Sequence, residues 1–280
     1  MIFDGLSFDH ARVVHHRLQK TSCGLCSHHD LSTIGDIIQF CRYAPLVAER
    51  GAHVILEVPE QLKSLLAYLH PSVEILVRGD PIPPYDVQSS LMSLPRAFNT
   101  IMNTIPAQIP YLFADIKLID IWKQRLGEKT SPRIGLIWSG NIQHKNDHNR
   151  SLPLAQLLPI TELPFHFYSL QKDIRETDQD PLAHSTIEDL STELYGFSDT
   201  AALISQMDLI ITADTSTAHL AGALGKPVWI LLPFLPDWRW LLDREDSPWY
   251  PTARLFRQPK HCDWESVVED VKQALQTFKL

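Results

Sequence analysis

The sequence predicts an α/β protein built as two Rossmann-like halves, and three observations carry that prediction. Short β-branched or apolar runs alternate with helical patterns through most of the chain, as βαβ units and parallel sheets require. The runs are nearly continuous in apolar residues, which suits strands covered on both faces. At 280 residues the chain also exceeds one ordinary domain of about 150 residues, so two cores are expected.

In the first half, Val13-Val14 falls in an expected strand and residues 37–50 read as a helix stopped by Gly51. His53–Val58 is the next strand, residues 60–69 a helix, and Val73–Val77 and Tyr85–Leu91 further strands. Residues 127–132, Gly-Glu-Lys-Thr-Ser-Pro, carry little hydrophobic pattern, so the expected domains are 1–128 and 129–280. The second half restarts with Ile134-Gly135-Leu136-Ile137-Trp138, and Phe165–Leu170, Leu209–Thr212 and Val228–Leu232 add three strands. A final helix over 264–278 follows Asp263 as N-cap, with Val267, Val268, Val271, Ala274, Leu275 and Phe278 at helical spacing.

Composition narrows the function. A formal net charge of −8 argues against a general nucleic-acid binder, whose phosphate contacts need a basic face, so any anion site must be built locally. No run approaches the roughly 20 apolar residues of a membrane span. The start, Met1-Ile2-Phe3-Asp4-Gly5, lacks a basic and then apolar leader, so a cytoplasmic location is expected. The four cysteines, Cys23, Cys26, Cys41 and Cys262, read as thiols. Cys23-Gly-Leu-Cys26 with His28-His29 has some look of a metal site, but no second ligand pair stands at the usual spacing. It reads better as an irregular loop, and no metal is expected.

Four segments carry chemistry. The first runs Leu209-Ile210-Ile211-Thr212-Ala213-Asp214-Thr215-Ser216-Thr217-Ala218-His219, a strand, a hydroxyl-rich turn and a helix of small residues. Free N–H groups at that helix start, its dipole and three hydroxyls make an anion site that needs no net positive charge. Asp214 is expected to cap the helix; the same turn would also arise if Asp214 or Thr215 merely capped a buried helix.

The second segment, Ser139 to Ser151, follows another strand at what should be the same sheet edge. Gly140 lets backbone approach a ligand, Lys145 and Arg150 can neutralise phosphate oxygens, and Ser151 can cap a helix beginning near Pro153. Open α/β sheets bind ligands outside the carboxyl ends of their strands, so the two loops describe one pocket.

In the third, Ser32-Thr33-Ile34-Gly35-Asp36, Asp36 is either a first-turn acid favoured by the helix dipole or a group that takes a proton from a hydroxyl. The fourth is Leu232-Pro233-Phe234-Leu235-Pro236-Asp237-Trp238-Arg239-Trp240. It is either a rigid wall for a sugar or base, with Arg239 toward an anion, or a packed loop between domains.

With these segments in place the chain resembles the heptosyltransferase-like glycosyltransferases of family nine, and most of all the module that follows tetratricopeptide repeats in bacterial proteins. The likeness rests on Gly135–Asn141, His144–Asp147, Asn149–Ser151, Ser169–Lys172, Asp214–Pro227 and Pro236–Leu242. It implies a GT-B fold, two Rossmann-like domains facing each other across a cleft, with the donor held mainly by the carboxyl-terminal half. By that likeness Thr215, Ser216, Thr217 and Ala218 would hold a diphosphate, with Lys145 or Arg150 supplying charge and with Asp214 and His219 counted among the donor-binding residues. Asn141 and Gln171 would line the donor pocket, Asp237, Trp238 and Arg239 the acceptor side or cleft, and Asp36 would be the general base of an inverting, metal-independent transfer.

The family reaches its Gly-Asp turn through a short Gly-rich link, whereas Gln19 to Ile34 stands there in this chain. The expected function is transfer of a sugar from a nucleotide-diphosphate donor to an acceptor the sequence does not name. A tetratricopeptide-repeat protein is a possible partner. The altered link motivates the alternative of a non-catalytic sugar-nucleotide-binding or scaffold module, and a sugar-nucleotide epimerase is a weaker third reading.

Overall fold

The computed structural model describes residues 22–26 by their backbone and residues 33–278 in full, so the expected strand at Val13-Val14 and the pair His28-His29 lie outside the described residues. By its contacts the chain divides into two compact units after Pro106.

The first unit contains the strands β1 (Ser22–Cys26), β2 (His53–Val58), β3 (Val73–Val77) and β4 (Val87–Ser90), and the helices α1 (Ile34–Phe40), α2 (Tyr43–Ala48), α3 (Glu60–Leu66) and α4 (Leu94–Ala97). Its sheet is parallel throughout, in the order β3-β2-β1-β4. Cys23-Gly24-Leu25-Cys26 therefore belongs to a central strand, which pairs with both β2 and β4, and is not the irregular loop expected. The correction shortens the unusual link. The strand ends at Cys26 and α1 begins at Ile34, so residues 27–33, not 19–34, join strand to helix.

The helix expected over 37–50 is two helices. Pro45 explains the break, because its ring would crowd the carbonyl of Cys41 and it has no N–H to donate. Arg42 at the joint is buried, with Nε donating to the Gln39 carbonyl at 2.8 Å and Nη1 to the Pro106 carbonyl at 3.0 Å. Ile37, Ile38, Phe40, Tyr43 and Ala44 form the buried face. The chain then turns at Gly51, whose φ of 95° favours glycine.

The second unit opens with α5 (Ile116–Leu126), capped by Asp115, which accepts from Lys117 N and Leu118 N. This helix lies before the boundary expected at 128/129, yet it buries Trp122, contacts the helix over 197–205, and pairs Arg125 with Glu188 and Glu193. Those contacts assign it to the second unit. The strands are β5 (Arg133–Ile137), β6 (His166–Ser169), β7 (Glu188–Asp189), β8 (Leu209–Ala213), β9 (Val228–Leu232) and β10 (Ala253–Arg257). The helices are α6 (Asp147–Arg150), α7 (Leu154–Leu157), α8 (Glu176–Ala183), α9 (Phe197–Ser205), α10 (Ser216–Ala223) and α11 (Trp264–Gln276).

All six strands are parallel, in the order β10-β9-β8-β5-β6-β7. Counted from the unit's own first strand this is the order 3-2-1-4-5-6 of doubly wound dinucleotide-binding sheets. Every residue of β5, β8 and β9 is buried, as strands under helices on both faces should be. Asp263 caps α11 as expected, accepting from Ser266 N at 3.1 Å. The order also fixes where the chain can bind something. The direction of winding reverses between β5 and β8, so the loops leaving those two strands flank the crevice of the sheet.

Candidate functional site

The loop leaving β5 is tied down from several sides. Gly140 N donates to Ser151 Oγ at 2.9 Å, and Ser151 Oγ donates to Asp147 Oδ1 at 2.7 Å. Arg175, just before α8, donates through Nη2 to Asp147 Oδ2 at 2.5 Å and to Ser151 Oγ and the Gly140 carbonyl at 3.2 Å. Asp147 is buried and Arg150 Nε stands 3.8 Å from its Oδ1. Two guanidinium groups thus face one carboxylate, which leaves a local excess of positive charge in an acidic chain.

Ser151 is spent on this knot and does not cap the next helix. That role belongs to Asp178, whose Oδ1 accepts from Leu154 N at 3.0 Å and whose Oδ2 accepts from Trp138 Nε1 at 2.9 Å. The carboxylate is buried, and both donors are buried with it, so these bonds are costly to lose.

The turn leaving β8 differs from expectation in its cap. Thr215, not Asp214, is the N-cap of α10: its Oγ1 accepts from Thr217 N at 3.3 Å and its carbonyl accepts from Ala218 N at 3.1 Å. Two of the four amides expected to cradle a diphosphate therefore already have acceptors, and Ser216 is the partly exposed residue of the four. Asp214 is released from capping. Burial pushes its carboxyl up to about 6. The nearby Trp240 indole N–H, short of a well-aligned hydrogen bond, opposes that rise; Asp237 reinforces it, and Arg150 and Arg239 oppose it.

Arg150 joins the two loops. Its Nη1 donates to the Asp214 main-chain carbonyl at 3.1 Å, and its guanidinium packs beside Gly140, where a Cβ would stand 2.6 Å from Nη2. The other expected residues are placed differently. Lys145 is exposed, and Asn141 is exposed too, its Oδ1 accepting from Gln143 N at 2.9 Å in a local turn. Gln171 is buried and stitches the tips of β5 and β6, accepting from Ser139 N and donating to the Ser139 and Asp173 carbonyls.

His219 is buried in an aromatic cluster: Nδ1 lies 3.0 Å from Tyr250 Oη and the ring stacks on Trp240 with centroids 5.3 Å apart. Gly222, one turn on, has the Tyr250 ring against its Cα, where a Cβ would come within 2.4 Å. In the segment after β9, Asp237 caps a single turn over 238–240 and pairs with buried Arg239 at 2.9 Å. Arg239 in turn lies over the exposed Trp238 ring, 4.6 Å from its centroid.

In the first unit Asp36 closes a capping box: its Oδ2 accepts from Thr33 N at 2.6 Å and Thr33 Oγ1 at 2.8 Å. Among the described residues no three His, Cys, Asp or Glu side chains gather as a metal site, and no helix is long and apolar enough to cross a membrane.

Residues 183–231 match the model of glycosyltransferase family 9 (heptosyltransferase). Two solved structures share the architecture over nearly the whole chain. One is the family 9 glycosyl transferase of Veillonella parvula, with a TM-score of 0.62 at 12% identity, covering 92% of this chain and 96% of that one. The other is the Escherichia coli ADP-heptose lps heptosyltransferase II, with a TM-score of 0.57 at 11% identity, covering 93% and 100%. The fold is a GT-B-like α/β fold. Protein FlbA of Caulobacter vibrioides is 25% identical over 275 residues. The alignment takes in 88% of this chain, which spans only 45% of the length of FlbA. The matched segment runs from α8 through the β8–α10 turn to β9, so it contains the Asp214–His219 stretch. The family match is confined to that segment, and the solved structures share the fold of the whole chain.

Sequence reasoning missed Arg175 and Asp178 as parts of this site. Their partners lie 24 to 40 residues away in the chain, beyond any local pattern.

Proposed function

We propose that the chain transfers a sugar from a nucleotide-diphosphate donor to an acceptor hydroxyl, with inversion and without a metal ion. The observation that carries the reading is the Arg150 contact to the Asp214 carbonyl, which sets a partly exposed guanidinium beside a helix start at the reversal point of the second sheet. Diphosphate leaving-group charge is stabilised by such a cation together with main-chain and hydroxyl donors. Ser216, with the Thr215–Thr217 turn around it, supplies the neutral donors, and Arg150 takes the place a metal holds in other transferases.

In this scheme the acceptor oxygen attacks the anomeric carbon on the face opposite the diphosphate. Asp36 removes the acceptor proton as the new bond forms and the diphosphate departs. The Asp237–Arg239 turn and the Trp238 ring bound the sugar side.

The test is a thermal-shift panel of nucleoside diphosphates followed by transfer assays. A raised melting temperature that Arg150→Ala and Ser216→Ala diminish is expected, with transfer retained in a chelator. Asp36→Asn should lower the transfer rate by about 10²–10⁴-fold while donor binding persists. Absence of a shift with every common nucleoside diphosphate sinks the donor site, and full transfer by Asp36→Asn removes the base.

A further inference from the structure

One cavity in the second unit is not used by the scheme above. It has a volume of about 310 Å³ and is walled by the turn from His148 to Pro153, the start of α8 and the stretch that follows β10. Neither Arg150 nor any residue of the Asp214–Ala218 turn lines it.

The lining has an unusual charge balance. Asp178 is the one carboxylate along it among the described residues, and both its oxygens accept N–H donors from Trp138 and Leu154. Arg175 lines it with a guanidinium already paired through Nη2 with Asp147, and the exposed His148 and His261 line it as well. Gln258, 4% exposed, lines the cavity with its amide oriented: Oε1 accepts from Phe234 N at 3.1 Å, and Nε2 is a buried donor with no acceptor. A buried donor left unmatched is costly, and such a group in a polar cavity is what a ligand oxygen satisfies. Trp264 and Leu152 supply apolar surface beside these donors.

We propose that this cavity is a second ligand site, taking an oxyanion-bearing ring of monosaccharide size with its charged group toward Arg175 and an oxygen toward Gln258. The volume sits at the small end of ligand pockets, near 300 Å³. Donors without an uncommitted carboxylate select a phosphate or carboxylate over a neutral sugar. The cavity shares Ser151, Arg175 and Asp178 with the framework that holds the β5 loop, but the scheme above assigns no ligand to it.

Calorimetric titration of the full chain tests it, with glucose 1-phosphate and glucuronate as charged probes, glucose as the neutral control and inorganic phosphate as the ring-free control. Each titration is run with and without a saturating nucleoside diphosphate. One-to-one binding of a charged sugar is expected, at least about tenfold tighter than glucose, the equivalent of one charge-assisted hydrogen bond. The phosphate and carboxylate arms show which oxyanion is preferred. Gln258→Leu should weaken that binding, and so should His261→Ala, an exposed change that leaves the core intact. Both should keep nucleoside diphosphate affinity.

The proposal is overturned if neither charged sugar binds, if glucose or phosphate alone binds as well, if a nucleoside diphosphate displaces the sugar, or if His261→Ala binds as wild type. Charged-sugar binding in a protein that ignores every nucleoside diphosphate would remove the strand-tip reading and leave this one standing.

Discussion

Arg150 Nη1 donates to the main-chain carbonyl of Asp214 at 3.1 Å, and through that bond a side chain from the β5 loop reaches the turn that begins α10. The two residues are 64 positions apart. Their meeting follows from β5 and β8 lying side by side in the sheet.

Gly140 is the backing for that contact. A Cβ there would meet Nη2 at 2.6 Å and Cζ and Nε at 2.9 Å. The obstructed atoms end a flexible side chain, so the fold of Gly140→Ala should survive with a loss of about 1–3 kcal/mol while the guanidinium is displaced. Nucleoside diphosphate binding should fall as it does in Arg150→Ala, with no further loss in the double variant. Additive losses in a double-mutant cycle would show that Gly140 does not act through Arg150.

At Gly222 the obstacle is rigid. The Tyr250 ring would stand 2.4 to 2.9 Å from an added Cβ, and that ring is itself fully buried against His219 and Trp240. Gly222→Ala should therefore lower unfolding free energy by about 1–3 kcal/mol or more, read from urea denaturation. A stability equal to wild type would mean that the aromatic cluster yields easily.

Asp178 serves two buried N–H groups at once. Replacing it by Ala leaves Trp138 Nε1 and Leu154 N without acceptors, at about 1–3 kcal/mol each. Asp178→Asn keeps one acceptor oxygen and should lose roughly half as much. Equal unfolding midpoints for the two variants would contradict this division of labour.

The Asp214 carboxyl titrates near 3.8 when unfolded, and burial raises it to about 6 in the fold. Between those values the folded protein keeps a proton that the unfolded chain has lost. The group's contribution is complete below the unfolded value and is lost as pH rises through about 6, on the order of 2–3 kcal/mol. Asp214→Asn removes the titration. Its stability relative to wild type should therefore improve between pH 4 and pH 7 in paired urea melts. A difference that does not move with pH would place the carboxyl in a more watery setting.

Where the sequence has strong local pattern, the architecture is legible in it. His53–Val58, Val73–Val77 and Val228–Leu232 end where their apolar runs end. Cys23-Gly24-Leu25-Cys26 is not legible as a strand, because it has no β-branched residue and its extended form is held by two neighbours in the sheet. Ala253–Arg257 went unread because it is an edge strand with arginines at 254 and 257. Pro45 should have divided the helix from residue 37 onward, by a rule that is purely local.

The candidate site divides in the same way. The Ser139–Ser151 loop and the Asp214–His219 turn were legible as polar stretches after strands. Which of their side chains face outward was not. Gln171 and His219 carry the chemistry of ligand contacts, yet the first closes main-chain bonds of Ser139 and the second stacks on Trp240. Only packing distinguishes such a group from one that meets a substrate.

The six strands of the second unit run in one direction, so the segments leaving their carboxyl ends gather on a single rim. Between them lies a frame whose central strands have no exposed position. Exchange of the rim segments can therefore retune what the molecule accepts, while the interior that determines whether it folds remains the same.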